Sequence, residues 1–218
     1  MKKIIIFILT VLLMILTACQ NKKLDYLVLV NKENKLPEDW EEKLEIVKFV
    51  NTIGDEVEVE KEAYDAYLKL KTDLKKENIY VDLDSAYRSV ALQQEIWDDF
   101  MVEYGEEYTK SHVAVPGFSE HHTGIALDFY LIINGEDVYL NEEMEKYPDI
   151  WKVIHTKGTD YGFIVRYIEG KEDITGYAYE PWHLRYVGSS KIAKEITDKG
   201  ITLEEYLNKL PKGDVSPK

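Results

Sequence analysis

Pro116-Gly117-Phe118-Ser119-Glu120-His121-His122-Thr123-Gly124-Ile125-Ala126-Leu127-Asp128 leads directly into Phe129-Tyr130-Leu131-Ile132-Ile133. From Ile125 onward, the density of β-branched and aromatic residues predicts a strand over 125–133. Side chains alternate along a strand, so Ile125, Leu127 and Phe129 share one face and Ala126, Asp128 and Tyr130 the other. Asp128 then has a small neighbour, which leaves open space above the sheet. Gly124 lets the chain turn just before the strand and brings His121 back toward Asp128. A neutral imidazole and a carboxylate that converge in this way suit zinc. Taken alone, the stretch fits equally well a loop histidine beside an aspartate that accepts hydrogen bonds.

Outward from this strand the chain reads as a mixture of helices and strands. Ala63, Tyr67, Leu70 and Leu74 recur at helical spacing within 60–78, and Ile79 to Leu83 reads as a strand. Ser89 can cap a helix running to about Tyr104, with Leu92, Ile96 and Phe100 on one face and Gly105 ending it. Thr109 to Glu120 is expected as a loop. Pro148 can open a helix ending near Gly158, while 163–168 and 174–179 look like further strands. Ser190 to Asp198 reads as a helix stopped by Gly200, and Thr202 with Glu205 makes a capping-box pattern for a last short one. Tyr26 to Val30 is a short strand-like run. No βαβ regularity, repeat or second core is evident. The expectation is a single α+β domain with a central antiparallel sheet flanked by helices.

Two further clusters carry chemistry-bearing residues. In Tyr177-Ala178-Tyr179-Glu180-Pro181-Trp182-His183, Glu180 and His183 stand three apart with Pro181 fixing the backbone between them. This spacing can aim a carboxylate and an imidazole into one cavity, one as base and one as ligand; it also fits an aromatic strand end with two surface polar groups. In Asp84-Ser85-Ala86-Tyr87-Arg88-Ser89, Arg88 stands beside a helix N-terminus, where dipole and guanidinium both favour an anion or a developing oxyanion. Standing alone, it would be a solvated arginine near a cap.

The N-terminus has Lys2 and Lys3 followed by an uncharged apolar run from Ile4 to Leu16, too short to span a bilayer comfortably. Leu16-Thr17-Ala18-Cys19 resembles the lipobox of bacterial lipoproteins, which implies cleavage before Cys19 and lipidation of that residue. Cys19 is the only cysteine, so a mature chain has no thiol for a disulfide, a thiolate metal site or a cysteine nucleophile. Any metal must be held by His, Asp and Glu. Loss of Lys2 and Lys3 with the leader leaves 25 basic against 41 acidic residues, a net charge of −16. Such a surface excludes general binding to nucleic acid or anionic lipid.

Together the three clusters resemble the D,D-carboxypeptidase branch of the family uniting lysostaphin-type enzymes, D-Ala-D-Ala peptidases and hedgehog domains, including the VanY-type enzymes. The pattern S-x-H-x-x-G-x-A-x-D is met by Ser119, His121, Gly124, Ala126 and Asp128, and E-x-W-H by Glu180, Trp182 and His183. The turn S-[GA]-Y-R-S-x-x-x-Q is met from Ser85 to Gln93, with Ala86 where glycine is usual. Similarity extends over roughly residues 60–209. His122 stands where relatives usually carry glutamine; strand alternation points it away from His121, so a supporting role is expected. His112 and His155 match no motif and are expected to be structural.

The resemblance implies one zinc ion per chain held by His121, Asp128 and His183, with water as the fourth ligand. It implies Glu180 as the proton acceptor and Arg88 as the group that polarises the scissile carbonyl. Tyr87, Ser89, Gln93 and Ser119 are expected to bind the substrate's terminal carboxylate and amides, and Trp182 to wall the cavity. The implied activity is removal of the C-terminal D-Ala from peptidoglycan stem peptides or lipid-linked precursors. Alternatives are an L,D-carboxypeptidase acting on tetrapeptide stems and a non-catalytic wall-binding lipoprotein; the second predicts loss of a ligand or of Glu180, and none is missing. The organisation expected is a leader at 1–18, a lipid-anchored tether and extension at 19–58, a peptidase domain at 59–210 and a tail at 211–218, on the outer face of the cell membrane.

Overall fold

In a computed structural model of this chain, residues 24–210 are described. The order begins with β1 (Ile46–Val50), β2 (Glu56–Glu60), α1 (Lys61–Lys76) and β3 (Tyr80–Ser85). It continues with α2 (Val90–Tyr104), α3 (Glu106–His112), a 3-10 turn at Glu120–Thr123, β4 (Ala126–Ile133) and β5 (Glu136–Val138). Then follow α4 (Asn141–Met144), α5 (Pro148–Asp160), β6 (Phe163–Val165), α6 (Glu172–Thr175), β7 (His183–Tyr186), α7 (Ser190–Asp198) and α8 (Leu203–Lys209). The expected α+β architecture forms. Four strands lie in the order β3-β4-β7-β6, β5 pairs with β4, and every pairing is antiparallel.

β4 is the organising strand. Its C-terminal half turns back into β5 through Asn134 and Gly135, both at positive φ (54° and 86°), the conformation a tight hairpin turn demands. Its N-terminal half pairs with β7, which sets Asp128 opposite His183. The stripe Ala63, Tyr67, Leu70 and Leu74 of α1 is fully buried, and Tyr67 meets Phe129 of β4 edge-on. Glu60 accepts from the Ala63 amide and so caps α1, while Ser89 caps α2 through the Leu92 amide. The capping box at Thr202 and Glu205 is present, with both reciprocal bonds made.

Several expectations are corrected. Residues 24–58 are not a separate extension: Leu24, Tyr26, Val30, Leu36 and Trp40 belong to the main core, and the Trp40 indole donates to the Thr123 carbonyl (3.1 Å). Within that stretch β1 and β2 form a hairpin. Tyr26–Val30 is no strand, because its carbonyls are taken by a buried arginine instead of a ladder: Arg185 Nη2 donates to Tyr26 O (3.0 Å) and Val28 O (2.8 Å). The start of the expected 109–120 loop is helical, as the end of α3. The strand expected at 163–168 stops at Val165, and 174–179 holds the end of α6 and Gly176 at φ 79°. Instead of one core, a second apolar cluster lies under α7 and α8, built on Ile164, Val187, Ile196 and Leu203. The leader, Cys19 and the tail from 211 lie outside the described residues.

Candidate active site

Each of the three sequence clusters reaches one cavity by its own local logic. The 3-10 turn carries His121, and Gly124 ends it in the left-handed region (φ 70°), where any Cβ would also stand 3.3 Å from Glu60 Cβ. The Tyr87–Arg88 turn is stitched alongside, since the Arg88 amide donates to His121 O (3.1 Å). β4 contributes Asp128, and β7 opens on His183. Pro181 precedes His183, and its carbonyl accepts from His155 Nε2 (2.9 Å). Burial lowers His155 to about 4, so it stays neutral and structural, as expected.

The hydrogen bonds fix the tautomers. His121 Nδ1 faces the Ala86 carbonyl at 2.8 Å and must carry the proton there, because a carbonyl only accepts. Its bare Nε2 lies 3.1 Å from Asp128 Oδ2. His183 Nε2 faces Glu120 Oε2 at 3.1 Å, which leaves Nδ1, 2.8 Å from Asp128 Oδ1, as the nitrogen that yields its proton to a metal. That buried oxygen makes no hydrogen bond. Three lone-pair donors thus converge, within 4.8 Å of one another, on a point that a cation satisfies. This donor set, two neutral imidazoles and a carboxylate with tautomers set from behind, fits zinc. Electrostatics agree. Burial works against the Asp128 charge, but His121 and His183 hold its pKa well below the usual carboxylate range. Burial also lowers His183, yet Asp128 and Glu120 raise it to about 10; a cation takes the place of that proton.

The trio opens into a cavity of about 380 Å³. Glu180 enters it from the β7 side, with Oε2 3.9 Å from His183 Nδ1. Burial raises Glu180 to about 7, His183 opposes this, and Asp128 and Glu120 add to it. Arg88 lies across the cavity, its fork held by Gln93 Oε1 (3.1 Å) and Ser85 Oγ (3.4 Å). Ser119 and Trp182 also line the space, and Ile96 and Phe100 of α2 form its apolar side.

Residues 56–189 match the family described as VanY, D-alanyl-D-alanine carboxypeptidase. The chain belongs to this family. It is 42% identical over 190 residues to the putative carboxypeptidase YodJ of Bacillus subtilis, covering 85% of this chain and 68% of that one. To a D-alanyl-D-alanine carboxypeptidase of Enterococcus faecalis it is 33% identical over 193 residues, covering 84% and 65%. Among solved structures, the LdcB LD-carboxypeptidase superposes with a TM-score of 0.72 at 40% identity, covering 85% of this chain and 87% of that one. The VanY D,D-pentapeptidase from a VanB-type resistance cassette, a Zn(II) complex, gives 0.69 at 31%, covering 85% and 100%. The protein is accordingly a zinc metallopeptidase of the VanY family.

Against this VanY frame, the structure brings His121, Asp128, His183, Glu180, Arg88, Gln93, Ser119 and Trp182 together. It does not bring in Tyr87 or Ser89. Tyr87 donates to Glu41 (3.0 Å) on another surface, and the Ser89 hydroxyl is spent on its helix cap. Gln93 is present but committed, donating to the Ala114 carbonyl (2.8 Å) while it accepts from Arg88. His122 supports the site as expected, though for another reason: it lies in the 3-10 turn, donating from Nδ1 to Arg88 O (2.6 Å) and accepting from the Gly117 amide (3.1 Å). Sequence reasoning missed Glu120, although it lies inside the motif, and also Asp84 and Tyr167. Asp84 sits at the register shift between Leu83 and Ser85, a bulge that re-aims it into the cavity. The Tyr167 ring packs on His183 at 4.8 Å between centroids.

Proposed function

We propose that this enzyme releases the C-terminal D-Ala of peptidoglycan stem peptides, with His121, Asp128 and His183 holding zinc, Glu180 as proton carrier and Arg88 as oxyanion partner. The observation that carries this reading is the convergence of three ligand atoms next to a carboxylate whose pKa burial has raised. When bound, zinc supplies Lewis acidity, making water a better nucleophile and polarising the scissile carbonyl. Glu180 accepts the proton that the attacking water gives up and returns it to the departing amine. Arg88, held in place by Gln93 and Ser85, presents its charge to the carbonyl oxygen as negative charge develops. Of the neutral donors expected for the terminal carboxylate, only Ser119 keeps an uncommitted hydroxyl at the cavity. A single small residue beyond the scissile bond suits so spare a subsite.

A second reading has its own support. The 40% identity to an LD-carboxypeptidase exceeds the 31% to the D,D-pentapeptidase. Mass spectra of pentapeptide and tetrapeptide stems incubated with the enzyme separate the two. Loss of one D-Ala from the pentapeptide is expected. Loss of D-Ala from tetrapeptides only supports the L,D reading, and fragments cut within the stem exclude a carboxypeptidase.

We also propose that the enzyme works outside the cell as a lipoprotein, on the strength of Lys2, Lys3, the apolar run and the Cys19 lipobox. No helix among the described residues is long and apolar enough to cross a membrane. Cys19→Ser should abolish incorporation of labelled fatty acid into the protein; labelling that persists in the variant, or none in the native chain, would overturn the anchor.

A further inference from the structure

Beneath the zinc ligands lies a charged cluster that the proposed chemistry does not use. Glu120 is 1% exposed at its side chain. Its Oε1 accepts from Arg166 Nε (2.7 Å) and Arg185 Nη1 (2.6 Å), and its Oε2 faces His183 Nε2 (3.1 Å). Arg166 turns its other edge to Glu204 in a two-pronged contact (3.0 and 2.6 Å), and Asn31 donates to Glu204 as well (3.1 Å). Arg185 satisfies its remaining donors on the carbonyls of Tyr26, Val28 and Tyr186. Two guanidinium groups and two carboxylates therefore balance in the interior.

Within this neutral set Glu120 is the member whose side chain meets the imidazole of a zinc ligand. We infer that Glu120 is a positioning residue for the metal centre: it fixes the tautomer and ring orientation of His183 and cancels the arginine charge beneath the cation. The inference rests on zinc binding by the trio proposed above. The first part follows from valence. A carboxylate can only accept, so the imidazole proton is held on Nε2 and the lone pair of Nδ1 is left facing Asp128. The second follows from charge. Without Glu120, Arg166 keeps Glu204 but Arg185 has no carboxylate, and an uncompensated positive charge stands one imidazole ring away from a dication.

Glu120→Gln and Glu204→Gln in the full chain separate this role from plain buttressing, because both remove one negative charge from the same cluster. Zinc affinity by competition with a chromophoric chelator and the melting temperature of the metal-free protein are the readouts. Glu120→Gln is expected to weaken zinc binding by about 10- to 100-fold in protein that remains folded. Glu204→Gln should lower the melting temperature with a several-fold smaller loss of affinity. Equal losses in the two variants, or unchanged affinity in Glu120→Gln, overturn the inference. Where Glu120→Gln does not fold, the zinc-loaded native chain decides by nitrogen NMR of its histidines. A slowly exchanging proton on His183 Nε2 with metal on Nδ1 supports the inference, and the opposite tautomer overturns it. Native protein that binds no zinc overturns the functional reading as well, whereas zinc binding that is abolished by His183→Ala but insensitive to Glu120→Gln overturns only this one.

Discussion

Asp128→Ala and His183→Ala should each yield protein without stoichiometric zinc and with D-Ala release at background. Each replacement removes one of three converging donors, and the two that remain cannot close an open tetrahedral site. The loss in affinity should exceed the roughly 10- to 100-fold typical of an outer hydrogen-bonding partner. Asp128→Ala also removes the one negative charge among the three donors, so a dication loses the ligand that neutralises part of its charge. Elemental analysis of the purified variants beside an assay for free D-Ala provides the check. Full zinc occupancy in either variant would refute the ligand assignment.

Glu180→Gln tests the other half of the chemistry. The amide matches the carboxylate in size but accepts no proton, and Glu180 is not one of the converging ligands. Zinc should therefore stay bound while kcat falls by about 10²- to 10⁴-fold. The pH profile carries the same signature. Burial raises Glu180 to about 7, so its basic form is lost as pH falls and turnover declines on the acid side. A divalent cation near the carboxylate favours ionisation and draws that limb below 7. In Glu180→Gln the residual activity should lose this limb. Near-normal turnover in the variant, or an unchanged acid limb, removes Glu180 from the mechanism.

The parts of the molecule readable from sequence are those whose causes are local. The helical stripe Ala63–Leu74, the Ser89 cap and the Thr202–Glu205 box need only neighbours within a few residues, and each forms where expected. Of the metal trio, Gly124 and strand alternation bring His121 and Asp128 together within one short stretch, whereas His183 as the third ligand was implied only by the family resemblance. Two hairpins carried unused signals: Asn134-Gly135 between apolar runs, and the alternation of Val57 and Val59 with glutamates after Gly54. Tyr26–Val30 misled because strand propensity says nothing about an arginine that arrives from β7 to take its carbonyls. Glu120 was hidden for the same reason, since its partners Arg166 and Arg185 lie 46 and 65 residues along the chain. Tyr87 and Ser89 matched the motif, but a motif does not reveal which side of a turn each side chain leaves by.

The grip of Arg185 on Tyr26 and Val28 has a consequence for where the enzyme can work. Leu24 is already buried in the core. Cys19, the proposed lipid site, precedes it by five positions, and five residues stretched to the limit span only about 17 Å. The catalytic domain would then sit almost against the bilayer, with its patrol radius set by a very short leash. Wall layers farther out would then lie beyond its reach however abundant their stems. Tethered so, the enzyme would meet newly exported precursors and the innermost glycan first, and a wall set farther out would starve it without changing a single atom of its active site.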